Sequence, residues 1–184
     1  MIATNTTNRE ESRTPYPVSS QIVDMDPIAI VSLAGFSAKI AKTAFDTGET
    51  LFNFAKEAKV VNRTFASLAR QARAVKDPCE LIDAYLRGIE DDLNTQPALV
   101  RTRRGKHFAN ILAALERQLD DCEETLGQLR ASTEDICRGG QVRGAGKAWA
   151  QLKLNLSRET MNETRSQLAL HMTALNTSLQ ILAL

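Results

Sequence analysis

Apolar residues recur at alternating spacings of three and four through four long stretches of this chain, with polar residues between them. The most regular stretch is Phe65, Leu68, Ala72, Val75, Cys79, Ile82, Leu86, Ile89 and Leu93. That is a heptad stripe, which a straight or gently supercoiled helix gathers on one face. Pro78 falls inside it, so the helix either kinks there or restarts with Asp77 as its cap; the unbroken phase favours two nearly collinear pieces.

A second stripe holds Phe108, Ile111, Leu115, Leu119, Cys122, Leu126 and Leu129, with Glu116, Asp120, Glu123 and Glu124 on the other side. The last begins near Ala145 and carries Trp149, Leu152, Leu156, Met161, Leu168, Met172, Leu175, Leu179 and Leu182 to the C-terminus. The first helix should start at Asp26, a good N-cap, with Pro27 at the first helical position, where its missing N–H costs nothing. It runs through Ile28, Val31, Phe36, Ile40 and Phe45. Gly48 predicts a bend or break, and a further piece carries Leu51, Phe52, Phe54 and Ala55 to about Val60. Asn94 to Lys106, with Pro97 and Gly105, reads as a loop, as does the glycine-rich stretch Gly139, Gly140, Gly144 and Gly146.

No alternating β-branched run occurs. The expected fold is therefore all-α: four long helices in a bundle, the first two broken near Gly48 and Pro78, each burying its stripe against the others. Residues 1–24 are rich in Thr, Asn and Ser, and read as a disordered tail ahead of a single bundle domain over 25–184.

Composition narrows the function classes. Of 184 residues, 43% are apolar, enough for a core, and 23 basic residues nearly balance 22 acidic ones. There is no bulk charge to draw nucleic acid, so no nucleic-acid partner is expected. Cys79, Cys122 and Cys137 are odd in number and lack CxxC spacing, which argues for a reducing, cytoplasmic setting over a disulfide framework. The polar start lacks the apolar core of a secretory signal. No run of about 18 uncharged apolar residues exists to cross a bilayer.

Candidate chemistry is sparse. His107 and His171 lack a glutamate three residues before them, so the di-metal bundle motif is absent, and no cofactor or metal is expected. Gly140 to Ala148 has the glycines of a phosphate loop but places Gln141 and Ala148 where Gly and Ser or Thr belong, and no strand precedes it. No nucleophile, base and orienting group share a local signature, so catalysis is not expected. Arg101, Arg103, Arg104 and Lys106 form a candidate basic patch, otherwise a solvated loop. Pro27 to Ala38 contains no charge. Ile28, Ile30, Val31, Leu33 and Phe36 there either make a central core helix or a contact with a membrane or a second copy, although twelve helical residues span only about 18 Å.

Met25-Asp26-Pro27-Ile28-Ala29, followed by an apolar helix with Gly35 and Lys39, resembles the opening of a family of N-terminal domains from fungal STAND (NACHT or NB-ARC) receptor-like proteins. That family is HeLo-like and takes in the N-terminal domain of azaphilone pigments biosynthesis cluster protein L. Leu119-Asp120-Asp121-Cys122 with Leu126 and Leu129 resembles its third helix. Trp149-Ala150, then Leu168, His171, Leu175, Ser178 and Leu179, resembles its closing helix. The resemblance covers about residues 24–184. It implies an intracellular fungal helical bundle that signals or oligomerises without catalysis, acting through protein partners or self-association, with peripheral membrane contact through the first helix on activation. The other role it suggests is an accessory or scaffold protein of a secondary-metabolite cluster. No ATPase domain or repeat array accompanies it here.

Overall fold

The computed structural model describes residues 27–57, 63–95, 97–140 and 157–183, although not the side chains of 57, 97–107 or 135–140. The expected tail, Trp149, Leu152, Leu156 and most of the glycine-rich stretch lie outside these residues.

Among the described residues there are five helices and no strand: α1 (Pro27–Glu57), α2 (Arg63–Ala74), α3 (Lys76–Thr95), α4 (Pro97–Gly140) and α5 (Arg158–Leu182). The heptad stripe reading holds in full. Every member from Phe65 to Leu93 is buried, across a single-residue turn at Val75 that divides α2 from α3. The break thus falls just before Pro78. Proline removes an N–H and clashes with the carbonyl four residues back, so it sits where it costs least, in the first turn of α3. In α4, Leu115, Leu119, Cys122, Leu126 and Leu129 are buried, and in α5 Met161, Leu168, Leu175 and Leu182 are. Each such aliphatic side chain taken out of water stabilises by about 1.5–3 kcal/mol.

Two boundaries and one buried face differ from expectation. Gly48 does not break α1, which runs unbroken for 31 residues. Its lack of a side chain lets α2 approach: a Cβ at Gly48 would lie 2.8 Å from the Ala69 carbonyl oxygen and collide with the Arg73 side chain. Asn94 to Lys106 is not a loop. α3 continues to Thr95, α4 starts at Pro97, and Gly105 lies within it. Proline at a first helical position starts helices as readily as it ends them, and one glycine costs only about 1 kcal/mol. The buried face of α1 is also rotated from the one expected. Ile30, Leu33, Ala34, Ser37, Ile40, Ala41, Ala44, Thr47 and Leu51 face inward, while Ile28, Val31 and Phe45 face out.

Contacts between helices set the topology. Phe54 packs on Phe65 with ring centroids 6.3 Å apart, Gly48 meets Ala69 and Arg73, and Lys76 lies over the Phe45 ring. As α1 is read backward α2 and α3 are read forward, so the two arms are antiparallel. Lys39 reaches Glu123 at 2.6 Å, and Asp46 and Thr50 share a small cavity with Arg130 and Glu134, so α1 and α4 run parallel. Gln118 with Ser178 (2.8 Å) and Thr125 with His171 (3.0 Å) make α4 and α5 antiparallel. The Tyr85 hydroxyl donates to the Leu182 carbonyl and ties the end of α5 to α3. The bundle is thus two antiparallel helical hairpins set side by side, with α1 flanked by α2–α3 and by α4.

Ser157 fixes the start of α5. Its hydroxyl accepts the Thr160 N–H at 3.1 Å, satisfying one of the four donors a helix start leaves open. Buried hydroxyls inside the helices bond back to their own turn, Ser37 to the Ala34 carbonyl (2.8 Å) and Thr133 to the Leu129 carbonyl (2.7 Å).

Candidate functional site: the groove between α1 and α4

Two parallel helices whose inner faces meet a common core leave a furrow on their outer side unless large side chains fill it. Where the N-terminal part of α1 lies beside the middle of α4, one stays open. It has a volume of about 530 Å³ and is lined on α1 by Ala29, Ile30, Ser32, Leu33 and Phe36. On α4 it is lined by Ala109, Leu112, Ala113, Glu116 and Asp120. The floor is apolar. The alanines on the α4 wall are too short to close it. Glu116 and Asp120, one helical turn apart, are exposed on the α4 rim. Lys39 closes the upper end: its ammonium lies 5.8 Å from the Phe36 ring centroid and pairs with Glu123.

The five apolar residues singled out on α1 divide. Ile30 and Leu33 are buried, so they are core residues that also floor the groove, and the inward turn of α1 removes them as free contacts. Phe36 is half-buried on the groove wall. Ile28 is 73% exposed and Val31 41% exposed, both outside the core. By length and composition α1 is the one described helix able to cross a membrane, since its 31 residues span about 46 Å. A soluble core helix meets the same test, and 39% of its most apolar window is buried in this fold. Arg101, Arg103, Arg104 and Lys106 are carried on the first turns of α4, ahead of the groove, and their side chains lie outside the described residues.

Cys79, Cys122 and His171 lie outside the groove lining. Cys79 and Cys122 are free and buried, and burial pushes both thiols up to about 12, Cys79 helped by the nearby Cys122 and Glu80. A thiol held that far above neutrality stays protonated at neutral pH and is a poor nucleophile. His171 is half-buried. Desolvation lowers its pKa, opposed by the negative charge of Asp121. The Thr125 hydroxyl lies 3.0 Å from both the Asp121 carbonyl and His171 Nε2, which ties the imidazole to α4. His107 and Cys137 lie outside the described side chains. Among the described residues no three His, Cys, Asp or Glu side chains converge.

Sequence reasoning did not place Ala109, Leu112 and Ala113 in a site. The signal was present: Ala109 and Ala113 stand four apart beside Leu112, off the main stripe, which puts small residues on a second face. No family model, curated protein or solved structure matches this chain.

Proposed function

We propose that this chain is a non-catalytic protein-interaction module, of the kind found at the N-terminus of fungal STAND receptor-like proteins, and that it docks partners in the α1–α4 groove. The observation that carries this reading is the groove itself: an apolar floor flanked by the exposed Ile28 and Val31 of a charge-free helix segment, of a size within the roughly 300–1,000 Å³ range of binding clefts. The clefts of about 610 Å³ between α4 and α5 and about 460 Å³ between α2 and α5 are lined by more polar side chains such as Asn110, Gln118, Arg70 and Asn176. Apolar surface left uncovered beside a packed core marks a place where another molecule completes the burial. The resemblance of the opening peptide to that receptor family supports the same role from the sequence side.

Proximity labelling in a fungal cell tests it, with the chain compared against an Ala113→Trp variant. Ala113 is exposed on the groove wall, so the indole fills the furrow without entering the core. Loss of most labelled neighbours from the variant is expected. An unchanged set of neighbours would remove the groove as the docking surface.

A further inference from the structure

We propose that the occupant of the α1–α4 groove is a basic amphipathic helix supplied by a partner protein. This deepens, and rests on, the reading of the groove as a docking surface.

Shape and charge of the groove select this occupant. The groove wall from Ala109 to Asp120 is twelve residues of helix, about 16 Å end to end, which matches three turns of a second helix. A helix laid in such a furrow presents anchors at i, i+3 or i+4, and i+7. Leu33, Phe36 and Leu112 are the apolar surface those anchors would meet. The rim then selects sign. Glu116 and Asp120 are both carboxylates, and Lys39, the cation at the upper end, is taken up by Glu123. A helix with Lys or Arg on the flank facing α4, at three- or four-residue spacing, meets these two charges. An anionic membrane meets these two carboxylates with the wrong sign, and the basic run from Arg101 to Lys106 that would attract it lies ahead of the groove lining on α4, so binding to anionic vesicles separates the two.

The chain's own segments do not fill the role. Residues 1–26 adjoin Ala29, but carry Glu10, Glu11, Asp24 and Asp26 against Arg9 and Arg13. Residues 141–156 are basic and amphipathic, with Arg143, Lys147, Trp149, Leu152, Lys153 and Leu156. They start from Gly140, twenty residues of helix or about 30 Å beyond Asp120, and must return to Ser157 at that same end. Sixteen residues reach at most about 55 Å fully extended, short of the round trip, and far less as a helix. Neither segment supplies the basic helix, which the proposal places on a partner protein.

A phage-displayed library of random 16-residue peptides, selected on the full chain at near-physiological salt, tests the proposal. Enriched peptides should carry an apolar stripe at helical spacing flanked by a Lys or Arg pair. Their affinity should fall at least tenfold on the double variant Glu116→Lys/Asp120→Lys, fall with added salt, and vanish on Ala113→Trp. Far-UV circular dichroism and melting temperature serve as the folding check. If the charge-reversed chain is unstable, Glu116→Gln/Asp120→Asn gives the same direction with a smaller drop. Enriched peptides that are neutral or acidic yet blocked by Ala113→Trp would overturn the basic occupant while leaving the groove as a docking surface. No binding sensitive to Ala113→Trp would overturn both. So would a dimer in light scattering, or binding to vesicles containing phosphatidylserine, that Ala113→Trp abolishes, since the occupant would then be a second copy or a lipid surface.

Discussion

Glycine shows how one residue type plays opposite parts within these helices. At Gly48 the missing Cβ is what allows α1 and α2 to touch. Gly48→Ala should therefore destabilise the fold by about 1–3 kcal/mol, as overpacking does, read as a fall in melting temperature. Gly35, Gly88 and Gly127 have open space where a Cβ would go. Alanine at each should stabilise by about 0.5–1 kcal/mol, because the helix keeps its contacts and the unfolded chain loses freedom. A stabilised Gly48→Ala would show that the close approach is not fixed. The thiols give a second residue-scale expectation. With both pushed up to about 12 by burial, Cys79 and Cys122 should resist alkylation at pH 8 in the folded protein and react only as it unfolds, with peptide mass spectrometry locating the label. His171 supplies a pH dependence. Its folded pKa lies below its unfolded one, so the unfolded state binds the extra proton. Stability should hold above about pH 6.5 and decline as pH falls below it. The part of that decline due to His171 should be missing in His171→Gln, measured by urea titration at pH 7.5 and 5.

At the scale of elements, each helix is held by a different balance. α2 and α3 keep one apolar phase through the turn at Val75, so the junction bends the backbone without moving the stripe. Leu86→Ala and Leu115→Ala, at fully buried positions of α3 and α4, should each cost about 2–5 kcal/mol in urea unfolding. α5 begins on a single side-chain cap, and Ser157→Ala should cost about 0.5–2 kcal/mol. The i,i+4 ion pairs such as Arg87 with Asp83 lie on the surface, where two long side chains held in water gain little. α1 is the element whose role differs most between sequence and structure. Its charge-free opening looks apolar all round, yet the fold buries one side, opens a second onto the groove and leaves Ile28 and Val31 outward.

For the whole molecule, the pairing of two hairpins sets α1 and α4 parallel and adjacent, and this arrangement produces the groove. Within each antiparallel pair the facing helices are consecutive in the chain. α1 and α4 instead come together across two intervening helices, and Ala109 and Ala113 leave their contact unfilled. The interaction reading and the charge preference of the occupant both belong to this scale, since no single helix contains the site.

The sequence by itself determined the helical class and most inward apolar residues of α2 through α5, although Ile111, Met172 and Leu179 are only half-buried and Ala69, Thr125 and Thr133 are buried off the stripes. A period of three and four residues fixes which side chains share a face, and burying that face is the dominant favourable term in folding. It did not determine the inward face of α1, where apolar residues lie on several sides and periodicity offers no choice. It did not decide whether Gly48 and Pro97 break or serve helices, because the same residues do either according to what packs against them. Nor did it reveal the groove, whose walls stand about eighty residues apart in the chain. Those were decided by tertiary packing, which alone sets which helix covers which face and where α1 and α4 leave the space beside Phe36 and Leu112 unfilled.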